Sequence, residues 1–358
     1  MKTRYIGLMS GTSLDAIDAV LVDIGDQVRL LHHCSHPIPD PIRNASHALN
    51  HSSDSDLQRS LELDRQWGYL FAEAVNTLLA TSSTDAATIR AIGCHGQTVR
   101  HAPAGPHGYT LQIGDPNTVA ELTGIDVVAD FRRRDIAAGG QGAPLACGFH
   151  QAVFASTQEQ RAIINIGGMA NITWLGHETV GFDTGPGNVL MDIWASRHLQ
   201  TRFDGNGQWA ASGQVIPPLL QAMLADPYFS LPPPKSTGRE HFDQHWLDRH
   251  LQGNEVPADV QATLAELTAR SICDALPAAC QALYICGGGA ANQHLMTRLA
   301  SISQRPVADT GSLGVDPDWL EAMAFAWLAS RTIAGLPGNI PGVTGAAGPR
   351  ILGAIFQA

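Results

Sequence analysis

One pattern occurs twice in this chain: a short apolar strand, a turn of glycine and polar residues, and a second apolar strand. In the first half it spans residues 5–24, with the turn at 10–13, and in the second half it spans residues 162–175, with the turn at 167–168. Two similar α/β domains facing one another would enclose a cleft, and clefts are where small ligands bind. The repeat therefore predicts two domains of related fold.

The predicted elements agree with an α/β fold. A third strand is expected at residues 28–33, and this run of three strands argues against a dinucleotide-binding unit, which passes from strand to helix at once. Helical spacing of apolar residues predicts helices at 57–79, 189–199 and 319–333. With 358 residues, 44% of them hydrophobic, the chain has enough apolar material for two cores. We predict an N-terminal lobe of residues 1–130 plus about 340–358, and a C-terminal lobe of residues 131–339.

Charge and cysteine usage exclude several classes of protein. The net charge is −11 and no basic run exceeds Arg132-Arg133-Arg134, which argues against a nucleic-acid partner. The six cysteines are scattered without a CxxC pair, so we expect reduced thiols rather than a disulfide framework or structural zinc. The N-terminus has no signal-peptide core, and no apolar run approaches the ~20 residues of a membrane span. We therefore predict a cytoplasmic protein that is not bound to membranes.

The first motif that could carry chemistry is MSGTSLDAID, at residues 9–18. A turn of Gly11, Thr12 and Ser13 can aim several backbone N–H groups at an anion, and the two hydroxyls add donors. Asp15 and Asp18 could hold Mg²⁺, usually through water. The alternative interpretation is a plain β-hairpin turn.

Two further glycine motifs suggest a nucleotide. INIGGMANIT, at 164–173, places Gly167 and Gly168 between two strands, with Asn165 and Asn171 as polar groups beside them. A phosphate tail clamped between two domains would need one such turn from each half. ICGGGAAN, at 285–292, has three glycines between a strand and a helix, and this leaves room for a flat ring to lie on the backbone. The alternative there is a tight strand-to-helix turn.

GFDTGPGN, at residues 181–188, is the best candidate for a catalytic group. Asp183 follows an apolar strand and precedes a Gly-Pro-Gly turn and a helix. A carboxylate at a strand end, beside exposed N–H groups, is well placed to act as a general base. The alternative interpretation is that Asp183 caps the following helix.

Other polar residues are weaker candidates. His95 and Gln97 lie at the end of a strand, where a buried core histidine is an equally good interpretation. Glu321 lies on an otherwise apolar helix and either faces solvent or points into the cleft. The histidines of HFDQHWLDRH, at 241–250, do not have the HExxH spacing of a zinc site, and we favour a surface helix. Neither a P-loop nor a complete Rossmann fingerprint is present.

Seven blocks in one order, covering nearly the whole chain, resemble the anhydro-N-acetylmuramic acid kinase family, which belongs to the sugar kinase, heat-shock chaperone and actin superfamily. The blocks are MSGTSLDAID, CHGQTVRH, QIGDPNTVAELTGIDVVADFRRRDIAAGGQGAPL, INIGGMANITWL, GFDTGPGN, ICGGGAAN and WLEAMAFAW. The family's first motif usually reads SGTSLDG, and here Ala16 replaces its last glycine.

The resemblance implies a two-domain actin-like and sugar-kinase fold of the ribonuclease H-like type, hinged around ATP and Mg²⁺. It also implies a kinase that opens the 1,6-anhydro ring of its sugar and phosphorylates O6 during recycling of cell-wall peptidoglycan, and it suggests a homodimer. The residues that it assigns to ATP phosphates are Gly11, Thr12, Ser13, Leu14, Asp15, Ala16, Ile17 and Asp18, and its catalytic base is Asp183. To the same ATP site we add Gly167, Gly168, Asn171, Gly287, Gly288 and Gly289.

Contacts with the sugar are predicted for Glu321, His95, Gln97 and Arg132, and Mg²⁺ bound through water is predicted at Asp15. One alternative is another sugar or carboxylate kinase of the same superfamily. The alternative from a different class is a nucleotide-gated binding module that carries out no phosphoryl transfer to a sugar.

Overall fold

A computed structural model describes residues 3–11, 14–49, 56–239 and 241–358. The chain forms two compact units. Unit 1 comprises Met1–Val153 and Trp319–Ala358, and unit 2 comprises Phe154–Asp318.

Strands and helices alternate along much of the chain. The strands are β1 (Thr3–Ser10), β2 (Ala16–Ile24), β3 (Val28–Pro37), β4 (Ile89–Cys94), β5 (Gln97–Ala102), β6 (Tyr109–Ile113), β7 (Val127–Ala129), β8 (Arg161–Ile166), β9 (Met169–Leu175), β10 (Thr179–Pro186), β11 (Ala282–Cys286), β12 (Val307–Asp309) and β13 (Ala354–Phe356). The helices are α1 (Asp40–Ala48), α2 (Asp56–Thr81), α3 (Pro116–Thr123), α4 (Arg133–Ile136), α5 (Ala146–Phe154), α6 (Val189–Leu199), α7 (Gln208–Ser212), α8 (Pro217–Leu224), α9 (Gln244–Asp248), α10 (Pro257–Asp274), α11 (Gln293–Ser303), α12 (Leu320–Ile333) and α13 (Pro341–Thr344).

The main sheet of unit 1 has the strand order β13-β7-β4-β1-β2-β3. Strands β1, β2 and β3 form an antiparallel meander, whereas β4 pairs parallel with β1 and β7 pairs parallel with β4. The sheet of unit 2 has the order β10-β9-β8-β11-β12, again with an antiparallel meander, β8 to β10, followed by parallel β11 and β12. The two sheets therefore share one topology, and this confirms the predicted α/β fold built from two related halves.

Helices cover the sheet of unit 1 on both faces. Successive side chains of a strand point to opposite faces, so Ile6 and Leu8 join the core formed by Trp67 and Phe71 of α2. Gly7, between them, faces α12 on the other side, where an added Cβ would overlap the carbonyl oxygen of Ala322. In unit 2, α10 is the most deeply buried helix, and a run of twelve consecutive positions, 260–271, has one exposed member, Arg270.

The unit boundaries follow from the packing of α12. This helix is in the second half of the sequence, but it contacts β1, β2 and β4, so it belongs to unit 1. The sequence predicted the second junction at residue 339. In the structure this junction lies earlier, between Asp318 and Trp319. The first junction lies at the C-terminal end of α5 rather than near residue 131, because Phe149 of α5 packs against Trp327 of α12.

The close approach of α12 generates a stability prediction. Gly93 of β4 lies directly beside Gly7 of β1, and a Cβ on Gly93 would overlap the carbonyl oxygen of Phe325. Gly93→Ala should therefore lower the free energy of unfolding by about 1 to 3 kcal/mol, because backbone atoms have to move to admit the methyl group. Chemical denaturation measures the loss. Gly342→Ala, where the new methyl group would meet nothing within 4 Å, should show none.

Candidate active site

Polar residues gather where the parallel strands of unit 1 end. Strands β1, β4 and β7 run in the same direction, so their carboxyl ends share one edge of the sheet. Ser10 ends β1, His95 follows β4, and Gln97 begins the β5–β6 hairpin. The Ser10 hydroxyl donates a 2.7 Å hydrogen bond to Gln97 Oε1, and both side chains are buried. Ser10 lies in the first motif, but it was not among the predicted site residues.

Arg132 joins the same cluster after β7. Its guanidinium donates to His95 Nε2, with Nη2 at 2.8 Å, and its Nη1 donates to the carbonyl oxygen of Gly142 at 2.8 Å. Burial, followed by the nearby Arg132 charge, holds the pKa of His95 well below its usual range. The ring therefore accepts from Arg132 as a neutral imidazole. Of the predicted sugar-binding residues, the structure brings His95, Gln97 and Arg132 together.

A buried carboxylate holds the loop that orients Arg132. Asp135 is fully buried; its Oδ2 accepts from the Gly142 N–H at 2.8 Å, and its Oδ1 accepts from Asn339 at 2.7 Å and Thr344 at 2.8 Å. A Cβ on Gly140 would overlap this carboxylate. Gly140 and Gly142 of the glycine cluster thus pack directly against the buried Asp135 side chain.

The first glycine motif is described in part. Thr12 and Ser13 lie outside the described residues. Gly11 is half-buried, and its carbonyl oxygen accepts from the N–H of Leu14 at 3.2 Å.

The residues after this turn face in different directions. The side chains of Leu14 and Ile17 belong to the core, so a ligand could meet them only through their backbone. Asp15 is exposed, Ala16 is half-buried, and Asp18 accepts a 2.7 Å hydrogen bond from Ser35.

Glu321 lies in the first turn of α12 and is half-buried. It is four residues before Phe325, so the two side chains share one face of the helix. The Phe325 ring packs against the His95 ring, with centroids 4.6 Å apart. Glu321 is therefore on the side of α12 that faces the His95 cluster.

The second glycine motif is enclosed by backbone from the loop before α6. The N–H groups of Gly187 and Asn188 donate to the carbonyl oxygens of Gly168 and Gly167, both at 2.8 Å, and the Asn188 side chain donates to Ile166 at 3.2 Å. A Cβ on Gly187 would overlap the Gly167 carbonyl oxygen. The hairpin turn and the start of α6 are therefore held as one rigid backbone surface.

The three glycines at 287–289 pack on the same hairpin. Gly287 has a φ of +72°, and a Cβ there would overlap Asn165 Oδ1, while a Cβ on Gly289 would overlap the Ile166 side chain. A Cβ built on Gly288 would lie 3.7 Å from the side-chain amide nitrogen of Asn188, so these two residues are neighbours. In unit 2, the structure thus brings the second and fourth motifs together at the carboxyl ends of β8 and β11.

Asp183 stands in a row of polar side chains across three strands. Asn165 on β8 pairs in register with Asn171 on β9, and Asn171 pairs with Asp183 on β10, so all three lie on one face of the sheet. The register shifts by one residue between Asp183 and Gly185, and such bulges re-aim side chains next to active sites. Asn188 precedes α6, so Asp183 does not cap that helix.

Residues that the motifs missed surround Asp183. The Tyr228 hydroxyl donates to the Asp183 carbonyl oxygen at 2.7 Å, the Asp183 N–H donates to the Lys235 carbonyl oxygen at 3.1 Å, and the Thr237 N–H donates to Asp183 Oδ2 at 3.0 Å. The composition offered one signal that could have pointed to this segment. The chain has only two lysines, and one of them, Lys235, directly follows three prolines.

The remaining sequence predictions concern metals, cysteines and membranes. In the HFDQHWLDRH segment, α9 has five residues and packs Trp246 into the core, while His241 lies 3.1 Å from Asp226. Within the described ranges, no cluster of three or more His, Cys, Asp or Glu side chains is arranged to hold a metal ion.

All six cysteines lie in the described part of the chain and are thiols, as predicted. Every helix described is too short or too polar to cross a membrane.

Comparison with known proteins gives full-length matches. The sequence profile of the family described as anhydro-N-acetylmuramic acid kinase matches residues 3–358. An anhydro-N-acetylmuramic acid kinase of Nitrosospira multiformis is 52% identical over 361 residues, covering 99% of both chains. Its counterpart in Coxiella burnetii is 50% identical over 364 residues, covering 99% of this chain and 98% of the relative.

A solved structure shows the same fold at low sequence identity. Component A of the (R)-2-hydroxyglutaryl-CoA dehydratase of Acidaminococcus fermentans superposes with a TM-score of 0.51 at 11% identity. The superposition covers 93% of this chain and 99% of that one.

The buried histidine cluster generates a pH prediction. Because the pKa of His95 is depressed in the folded chain, the unfolded chain binds one more proton as the pH falls below about 6.5. Above that pH, His95 is neutral in both states and its titration does not change the free energy of unfolding. Below it, His95 lowers the free energy of unfolding by up to about 1.4 kcal/mol per pH unit. His95→Gln should reduce the slope of unfolding free energy between pH 5.5 and 7, measured by denaturant titration. The same change at exposed His177 should leave the slope unaltered.

Proposed function

The chain belongs to the anhydro-N-acetylmuramic acid kinase family, and from this premise we propose how its residues carry out the reaction. It is a kinase of 1,6-anhydro-N-acetylmuramic acid: ATP is the phosphoryl donor, and the product is N-acetylmuramic acid 6-phosphate. One observation supports these roles: Asn165, Asn171 and Asp183 form a row of polar side chains across three neighbouring strands. Asp183 is on β10, which leads into the glycine surface formed by residues 167–168 and 187–188. The reaction would serve the recycling of cell-wall peptidoglycan.

The glycine turns are proposed to bind ATP. In unit 2 the proposed residues are Gly167, Gly168, Asn171, Gly287, Gly288 and Gly289. Gly287 and Gly289 pack so closely on Asn165 and Ile166 that a side chain at either position would obstruct them, and Asn165 pairs with Asn171. Backbone N–H groups at the ends of parallel strands are suited to phosphate oxygens, and bare glycines let a flat base lie against the chain. In unit 1, the segment from Gly11 to Asp18 is proposed to contact phosphates in the same way.

Asp15 and Asp18 are proposed to hold Mg²⁺ through water. Asp15, which is exposed, directly precedes β2, and Asp18, which is half-buried, is the third residue of that strand. Mg²⁺ usually keeps several bound waters and is held by one or two protein carboxylates together with substrate phosphates. Asp15 and Asp18 could supply those carboxylates. Bound there, the ion would offset the negative charge of the phosphates.

Asp183 is proposed as the base that activates water. The substrate has no free 6-hydroxyl, because O6 is tied to C1, so an ordinary kinase base would find no proton to remove. Asp183 instead takes a proton from a water whose oxygen bonds to C1, as in inverting glycosidases. The C1–O6 bond breaks, and O6 bonds to the γ-phosphorus of ATP as the bond between that phosphorus and ADP breaks and ADP leaves. Backbone N–H groups stabilise the phosphoryl charge during transfer.

His95, Gln97, Arg132 and Glu321 are proposed to contact the sugar. The substrate carries a carboxylate on its lactyl arm, and Arg132 supplies a cation beside neutral His95. Glu321, on the face of α12 shared with Phe325, offers an acceptor for sugar hydroxyls.

The full-length family match disfavours both alternatives drawn from the sequence, another kinase and a binding module. We also propose a cytoplasmic homodimer, and light scattering of the purified chain tests its mass.

Replacing the proposed base should abolish turnover without unfolding the chain. Asp183→Asn keeps the shape of the side chain but cannot accept a proton, so kcat should fall by about two to four orders of magnitude. Coupled ADP release with the anhydro sugar measures this. Asp248→Asn makes the same chemical change at an exposed carboxylate paired with Arg197, and it should keep wild-type kcat. Near-wild-type turnover of Asp183→Asn would remove Asp183 from the mechanism.

The source of the oxygen at C1 is a second test. If activated water attacks C1, the product formed in H₂¹⁸O should carry one label at C1, found by mass spectrometry of the sugar phosphate. Phosphoryl transfer to O6 would leave the phosphate group of the sugar product unlabelled. Label confined to inorganic phosphate would show ATP hydrolysis instead, and it would overturn the proposed ring opening.

A further inference from the structure

We propose that the segment Lys235–Ser236–Thr237 positions the Asp183 carboxylate for proton transfer, and that Lys235 and Thr237 are positioning residues of the reaction. This proposal rests on the proposed role of Asp183 as the base. It concerns a segment that belongs to none of the motifs which identify the family in the sequence.

The segment bonds Asp183 at two points. The Lys235 carbonyl oxygen accepts the Asp183 N–H at 3.1 Å, and the Thr237 N–H donates to Asp183 Oδ2 at 3.0 Å. One short stretch of chain therefore fixes both the backbone and one carboxylate oxygen of Asp183. A backbone N–H bonded to a carboxylate is a charge-assisted hydrogen bond, stronger and more directional than a neutral one.

The Lys235 side chain reinforces this arrangement from the other side. It is 9% exposed, and its ammonium donates to the carbonyl oxygens of Tyr228 and Phe229 at 3.2 and 3.3 Å. The Tyr228 hydroxyl in turn donates to the Asp183 carbonyl oxygen at 2.7 Å. The ammonium also lies 4.8 Å from the centre of the Tyr228 ring. Lys235 thus ties the turn that carries Tyr228 to the segment that holds Asp183.

The charges around Asp183 favour its ionised form. Two titratable groups, Tyr228 and Lys235, lie next to Asp183. Burial raises the pKa of Tyr228, and the negative charge of Asp183 raises it further. Burial lowers the pKa of Lys235, and the negative charge of Asp183 opposes that shift. By reciprocity, the Lys235 cation and the Thr237 N–H both stabilise the carboxylate over the carboxylic acid. A base must be ionised before it accepts a proton, so the segment would set both the orientation and the protonation state of Asp183.

Removing the Thr237 N–H tests the inference. Thr237→Pro deletes the donor to Oδ2, whereas Thr237→Ala retains it and loses only the hydroxyl. With the anhydro sugar and ATP as substrates, the acid limb of the kcat/KM profile reports the pKa of the base. In Thr237→Pro we expect this limb to move about one pH unit upward, with kcat about tenfold to a hundredfold lower. In Thr237→Ala the limb should stay where the unaltered chain has it.

Lys235→Met gives a second test if Thr237→Pro does not fold, as judged by circular dichroism and denaturation. Loss of the cation should also move the acid limb upward, with the KM for ATP unchanged. An acid limb that stays in place in every folded variant, with or without loss of activity, would overturn the positioning role. That result together with an inactive Asp183→Asn would leave the proposed base intact, whereas an active Asp183→Asn would refute the base itself.

Discussion

The parallel pairing of the central strands is the constraint on which both units depend. In unit 1 the strands β1, β4 and β7 run in one direction, and in unit 2 the strands β8, β11 and β12 do the same. Their carboxyl ends must then lie at one edge of each sheet, whatever residues they carry. The polar cluster around His95 and the glycine surface around Gly167 are consequences of this pairing. Their members are far apart in sequence, and strand order alone brings them together.

Glycine makes these edges usable because it lets backbone approach backbone. At Gly187, Gly287 and Gly289, a Cβ would overlap a carbonyl oxygen or a side chain of the neighbouring hairpin. The same requirement occurs at Gly7 and Gly93, where it serves the packing of α12 and has no direct chemical role. Glycine content alone therefore does not separate the turns proposed to bind ATP from packing contacts. The distinction lies in position: the first set is at strand ends and the second is in mid-strand.

Much of the fold could be predicted from sequence because its signals are local. Helical spacing predicted residues 189–199, the bounds that α6 has, and the predicted helix at 57–79 falls within α2. The placement of α12 could not be predicted, because it depends on the match between its surface and the glycines of β1 and β4. Asp183 could be found from its motif, but the hydrogen bonds from Thr237 and Tyr228 join residues about fifty positions apart. No local pattern reports such bonds.

The same long-range bonds explain why a single carboxylate can suffice for the proposed chemistry. In an ordinary sugar kinase the nucleophile is a hydroxyl of the bound sugar, so substrate binding itself places the reacting oxygen. In the proposed reaction the nucleophile is water, which brings little binding energy of its own, and the protein must supply the orientation. A base on a mobile side chain would lose that geometry. Asp183 is instead fixed through its N–H, its carbonyl oxygen and one carboxylate oxygen. The demand for a well-oriented water thus accounts for the way the proposed base is held at three points by a single neighbouring stretch of chain, residues 228–237.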